Sequence, residues 1–225
     1  MDKLNNNIVS TDKVNSSHQK AAIVALLRGG NLNEIDVMKS LTLHFQKIQC
    51  NLLDIQDAAD EVFTKQPSKH SLLLAKRLYV SKSYRARSLA VFIFGRLAAT
   101  SSESLAFLKR QVSQDTDWHV IEIMAKAFNR YCADVGYENA LPIIREWLTD
   151  AEPNVRWAVA EGLRVWTQRP YFITHPALAI QLLCPLRYDE SAYVRDSVGS
   201  ALGDISKTHL ILVQDELDKY DMTLQ

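Results

Sequence analysis

Apolar residues recur along the chain at the three- and four-residue spacing that lines one face of a helix, as at Leu41, Phe45 and Ile48. The pattern predicts a short helix over Ser17–Arg28, stopped by Gly29-Gly30, then amphipathic helices over Asn33–Gln49 and Leu52–Lys65, closed by Pro67. Residues 1–16 are polar and Asn-rich and read as a flexible tail, with 17–70 as an N-terminal helical cap. From Ser71 the helices come in pairs. The predicted pairs are Ser71–Val80 with Tyr84–Ala99, Ser102–Val112 with Thr116–Asp134, Tyr137–Thr149 with Pro153–Thr167, and His175–Leu186 with Ala192–Lys207. A last helix is expected over Leu210–Tyr220, and the proline-bounded stretch Arg169–Pro176 reads as a connector at the rim. Pro153 suits a first helical turn, where its missing N–H costs nothing.

A repeat underlies the pairs. Asp150-Ala-Glu-Pro-Asn-Val155-Arg156 leads to Ala160 and Leu163, and Asp189-Glu-Ser-Ala-Tyr-Val194-Arg195 leads to Gly199 and Leu202. Aligned on the residue before each second helix, the copies start at Ser81, Asp115, Asp150 and Asp189, at intervals of 34, 35 and 39 residues. That period and motif define HEAT-like helical pairs, which bury their apolar faces by stacking on neighbours. The expected fold is therefore all-α: a right-handed α-solenoid over 71–225, packed with the cap as a single domain. The first copy keeps its arginine as Arg87, whereas the second has Ile121 at that place.

Composition narrows the class. The chain has 225 residues, 47% of them hydrophobic, with only seven glycines and six prolines, which suits a folded helical protein. Three cysteines, Cys50, Cys132 and Cys184, form no paired spacing, so a reducing cytoplasm is the expected compartment. No apolar run approaches the ~20 residues of a membrane helix, and no secretory signal opens the chain. The six histidines show no metal-ligand spacing, and no phosphate-binding glycine loop or nucleophile elbow is present, so neither a metal nor a cofactor is expected. Net charge is zero, which argues against strong non-specific DNA binding. Its distribution is uneven: Lys76 to Arg110 holds eight basic residues against Glu103 alone, while Arg187 to Gln225 holds eight acids and four bases. A solvated helix face and a phosphate-binding stretch both fit the basic run, and within it Arg85 and Arg87 are the phosphate candidates.

The copy that breaks the motif carries the candidate chemistry. Asp115-Thr-Asp-Trp118-His119-Val-Ile-Glu122 places an indole and a carboxylate four residues apart, on one helix face. An aromatic face beside a carboxylate attracts a cation, and a carboxylate can also stabilise an oxocarbenium-like transition state. The alternative is a Trp wedged between helices and a solvated Glu. For Arg156 and Arg195 two roles are open: ties between repeats, or contacts with DNA phosphate. Trp157 either packs in the core or offers a second exposed indole.

With these residues the stretch Ser71–Tyr220 resembles the HEAT-like-repeat DNA alkylation repair family, the alkylpurine DNA glycosylases. Trp118 and Glu122 match that family's Trp-x-x-x-Asp pair, with Glu one methylene longer. Arg156 matches its phosphate-contacting basic residue. Ser197-Val198 through Leu202, Asp204-Ile205 and Lys207 follow the last-repeat pattern of one branch, while Ser200 and Gly203 stand where another branch has Trp and Arg. The resemblance implies an N-glycosylase that removes cationic alkylated purines from duplex DNA, with Glu122 as the catalytic carboxylate and Trp118 as the cation-contacting aromatic. The implied DNA contacts are Arg85, Arg87, Arg156, Trp157, Arg195 and Lys207, on a concave surface. Two alternatives stay open: a non-catalytic DNA-binding relative, and a HEAT-repeat scaffold with a protein partner.

Overall fold

The computed structural model of the chain describes residues 18, 20–25, 34–47, 51–63 and 68–223. The expected tail, the Gly29-Gly30 stop, Cys50 and the Pro67 boundary lie outside those residues. Every regular element described is helical: α1 Glu34–Lys47, α2 Leu52–Phe63, α3 Ser68–Tyr79, α4 Tyr84–Leu97, α5 Ser102–Arg110, α6 Trp118–Val135, α7 Tyr137–Leu148, α8 Pro153–Gly162, α9 Pro170–Thr174, α10 Pro176–Leu183 and α11 Ala192–Thr223. The paired pattern read from the sequence is therefore the pattern observed, and the fold is the all-α HEAT-like solenoid.

The chain divides into two compact units. One comprises the residues up to Leu105 with Asp117–Ile123, and the other Ala106–Thr116 with Met124 onward. In the first unit α4 is central: Ala86 and Ser88 through Gly95 are buried, and α2 and α3 both pack against it. That burial explains why α4 reads as a nearly continuous apolar run, where a helix with one wet face would alternate. In the second unit α8 takes the same place. Val155 through Ala160 are buried, with α7 and α11 packed alongside. Phe128 and Trp147 meet there at 4.4 Å between ring centroids.

Two departures from the sequence reading have clear causes. The helix expected over Pro153–Thr167 stops at Gly162, because Val165 adopts a left-handed backbone (φ 55°) and the chain turns into a 3-10 segment at Trp166–Gln168. The connector Arg169–Pro176 is not a rim loop. It forms α9, whose Phe172 is fully buried against Trp166 at 5.1 Å. The last predicted helix continues α11 across a single break at His209 (φ −133°, ψ 45°).

The repeat motif can now be read atom by atom. In the third copy the Asp150 carboxylate accepts the Glu152 N–H at 2.9 Å, and Arg156 Nη1 donates to the carbonyls of Asp150 and Ala151 at 2.7 and 3.0 Å. In the fourth, Asp189 accepts the Ser191 N–H at 2.9 Å, and Arg195 Nη1 donates to the carbonyls of Asp189 and Glu190 at 2.6 and 3.0 Å. In the first, the Ser81 hydroxyl accepts the Ser83 N–H at 3.2 Å, and Arg87 Nη1 donates to the carbonyls of Ser81 and Lys82 at 3.0 and 3.2 Å. The side chain that opens each copy turns the backbone into the helix, and the arginine six residues on satisfies carbonyls the turn would leave open.

Candidate functional site

The second copy has no such arginine. Ile121 fills the place and is buried at 2% exposure. Its opening turn is capped by Asp117, two residues after the motif position Asp115. The Asp117 carboxylate accepts the His119 N–H at 3.0 Å, and the Asp117 carbonyl accepts the N–H of Val120 at 2.9 Å. Asp117 is thus the N-cap of α6. A cap at Asp117 makes Trp118 the first helical residue, and the indole stays 48% exposed. Glu122 lies one turn further on the same face and is half-buried. The indole and carboxylate picked out by their spacing therefore sit together at a helix start that solvent reaches.

A third group joins them from α4. Tyr84 opens that helix as Trp118 opens α6, and its ring stacks on His119 with centroids 5.0 Å apart and planes at 30°. The Arg85 guanidinium lies over the Tyr84 ring at 4.8 Å, a cation–π contact. So the structure brings Arg85 to the start of the helix that carries Trp118 and Glu122. The sequence marks His119 only as a surface residue, which it is, and does not single out Tyr84. The available signal was register: Tyr84 and Trp118 occupy the same repeat position, as do Arg85 and His119.

The other candidates fall elsewhere. The Arg87 guanidinium folds back onto the carbonyls of its own turn. Arg156 is 7% exposed and forms a two-pronged pair with Asp189, Nε to Oδ2 at 2.6 Å and Nη2 to Oδ1 at 2.7 Å. Of the two roles open to Arg156, this is the inter-repeat tie. Burial would push the Asp189 carboxyl up. The Arg156 and Ser191 hydrogen bonds, with the Arg156 and Arg195 charges, outweigh it and hold the group below the usual carboxylate range. Arg195 is exposed, and its Nε and Nη2 make no hydrogen bond among the described residues. Trp157 is 6% exposed, so it packs in the core and is not a second exposed indole. Lys207 is exposed and paired with Asp204 at 2.6 Å, and Asp204 also accepts from Arg164.

Part of the basic run is ion-paired: Lys76 with Glu103, Arg96 with Asp60 at 3.0 Å, and Lys109 with Glu146 and Asp150 at 2.6 and 2.8 Å. At those three positions the positive charge is compensated within the protein. Lys82, beside Tyr84, is exposed and makes no ion pair among the described residues. Among the described residues no cluster of His, Cys, Asp and Glu could hold a metal ion, and no helix is long and apolar enough to cross a membrane.

An all-helical repeat fold with an exposed indole set one turn ahead of a carboxylate defines a HEAT-like-repeat protein with an aromatic–carboxylate helix start. The chain belongs to the DNA alkylation repair enzyme family, which matches residues 25–225. Two solved structures from Streptococcus mutans are similar. The crystal structure of AlkD2 is 40% identical, with 83% of this chain and 89% of that one covered and a TM-score of 0.79. The smu.31 structure from strain UA159 is 39% identical, with 83% and 90% covered and a TM-score of 0.78. No curated protein sequence matches the chain. The family makes this a DNA alkylation repair protein, with DNA as its substrate class.

Proposed function

We propose that the protein is a DNA N-glycosylase that removes cationic alkylated purines from duplex DNA, acting through Trp118 and Glu122. The observation that carries this reading is the exposed Trp118 indole one turn before Glu122, in a chain of the alkylation repair family. The indole face stabilises the positive charge of the alkylated purine. As the N-glycosidic bond lengthens, its electron pair moves to the purine nitrogen and neutralises the base. Positive charge grows on the sugar, where the Glu122 carboxylate stabilises it. Water then adds at the sugar carbon and gives up its proton to the solvent. The base leaves well because it is already cationic, so one carboxylate and one aromatic face suffice. Arg85, Lys82 and the exposed edge of Arg195 are the backbone-phosphate contacts in this reading. The buried free thiol of Cys132 supports work in a reducing cytoplasm.

A second reading, DNA binding without excision, is favoured by the missing second aromatic. Ser200 stands where one branch of the family has Trp, and Trp157 is buried. One assay separates the two: release of methylated purines from alkylated duplex DNA by wild type and Glu122→Gln, beside DNA affinity. Glycosylase action predicts release by the wild type and a loss of about 100-fold or more in the variant, with affinity nearly unchanged. Release retained by Glu122→Gln removes the role assigned to Glu122. Binding without release by either protein establishes the second reading.

A further inference from the structure

We propose that His119, clamped between Tyr84 and Asp117, contacts a DNA phosphate beside the nucleotide that faces Trp118. The inference rests on the DNA-binding reading of this helix start but not on excision. The imidazole is held on two sides. Its face stacks on Tyr84 at 5.0 Å, and Nδ1 lies 2.9 Å from Asp117 Oδ1. The side chain nevertheless remains 59% exposed. A surface histidine that merely fills space has no need of both constraints, whereas a ligand-contacting ring gains from having its orientation set in advance. Because Nδ1 faces the carboxylate, Nε2 is the nitrogen turned outward, and it makes no hydrogen bond among the described residues.

The neighbouring chemistry selects the ligand. Asp117 accepts from Nδ1, so the ring is neutral with Nε2 as an acceptor, or charged with Nε2 as a donor. Only the charged form suits a phosphate oxygen, and in the complex the imidazolium then lies between two anions, Asp117 and the phosphate. The groups around it are Asp117 and Glu122 on its own helix and Tyr84 and Arg85 from α4. Arg85, held on the other partner of the stack, supplies a second cation for the same strand. Arg87, the alternative phosphate candidate in this unit, is turned onto its own carbonyls, which leaves His119 and Arg85 at the site.

The experiment uses the full chain and unmodified duplex DNA. Affinity is measured against salt at one fixed pH for the wild type, His119→Gln and His119→Lys. One phosphate contact changes the slope of log K on log salt by about 0.9. His119→Gln should lose about that much slope relative to the wild type, and His119→Lys should keep the wild-type slope. A slope in His119→Gln equal to that of the wild type overturns the proposal. Trp118→Ala and Arg85→Ala keep the two readings apart. If they weaken binding while His119 variants do not, only the His119 contact fails. If none of the variants changes affinity, the DNA-binding reading of this helix start fails with it.

Discussion

Asp189→Ala is expected to destabilise the protein by about 3–5 kcal/mol, the cost of stripping a buried charge of its partner. The pair it breaks is enclosed, with side chains 8% and 4% exposed for Arg156 and Asp189. Arg156 would keep its bonds to the carbonyls of Asp150 and Ala151, but its Nε and Nη2 would lose the carboxylate they share. Asp189 also turns its own backbone through the Ser191 N–H, so the opening of α11 loosens at the same time. Equilibrium urea denaturation gives the loss directly, and a change within about 1 kcal/mol would show that water reaches the pair. Replacing both partners by apolar residues, Arg156→Met with Asp189→Leu, should restore much of the loss, because the desolvation cost goes with the attraction. The pH dependence follows from the depressed Asp189 carboxyl. Its contribution is complete above the ordinary carboxylate range, and it is lost as pH falls through the lower folded value.

Gly162→Ala is the second large effect. Alanine ordinarily favours a helix over glycine by about 1 kcal/mol. Here the added Cβ would lie 2.3 Å from the Ala125 carbonyl oxygen and 3.1 Å from its carbon, both main-chain atoms that no rotamer change can move. Overpacking of this kind costs about 1–3 kcal/mol, and the backbone target puts it at the upper end. The expected result is a lower urea midpoint with little change in slope. The disturbance also reaches the site, since Ala125 lies one turn beyond Glu122 on α6. Gly199 is the control: a Cβ there meets nothing within 4 Å, so Gly199→Ala should stabilise by about 0.5–1 kcal/mol. Destabilisation of equal size in both would count against close helix approach as the cause.

Helical pairing was readable because a repeat states its register several times over. Asp150 and Asp189, each followed by Val and Arg at fixed offsets, align without any structure. The role of the arginines was not readable. A guanidinium six residues past an aspartate can fold back onto the turn or reach outward, and the choice depends on a neighbour such as Asp189, 33 residues away along the chain. Trp157 shows the same limit. It occupies the repeat position that Glu122 occupies in the second copy, yet one side chain is enclosed and the other reaches solvent. Periodicity marks a face but not what covers it. At the site, Trp118 and Glu122 were visible from spacing on one helix. The Tyr84–His119 stack was not, because it joins residues of two helices that sit at neighbouring, not equal, repeat positions.

The unfilled side of Arg195 has a consequence for how such a chain grows. Each arginine of this kind presents a fork: one nitrogen closes its own turn, and two more can hold the aspartate that opens the following copy. Arg156 holds Asp189 in that way, and Arg195 has the same two nitrogens open among the described residues. A helical pair duplicated in tandem after α11 would carry its own aspartate to that fork and its own arginine beyond it. The coupling is inherited whole with each copied segment, so the array can lengthen without new surface chemistry having to be found.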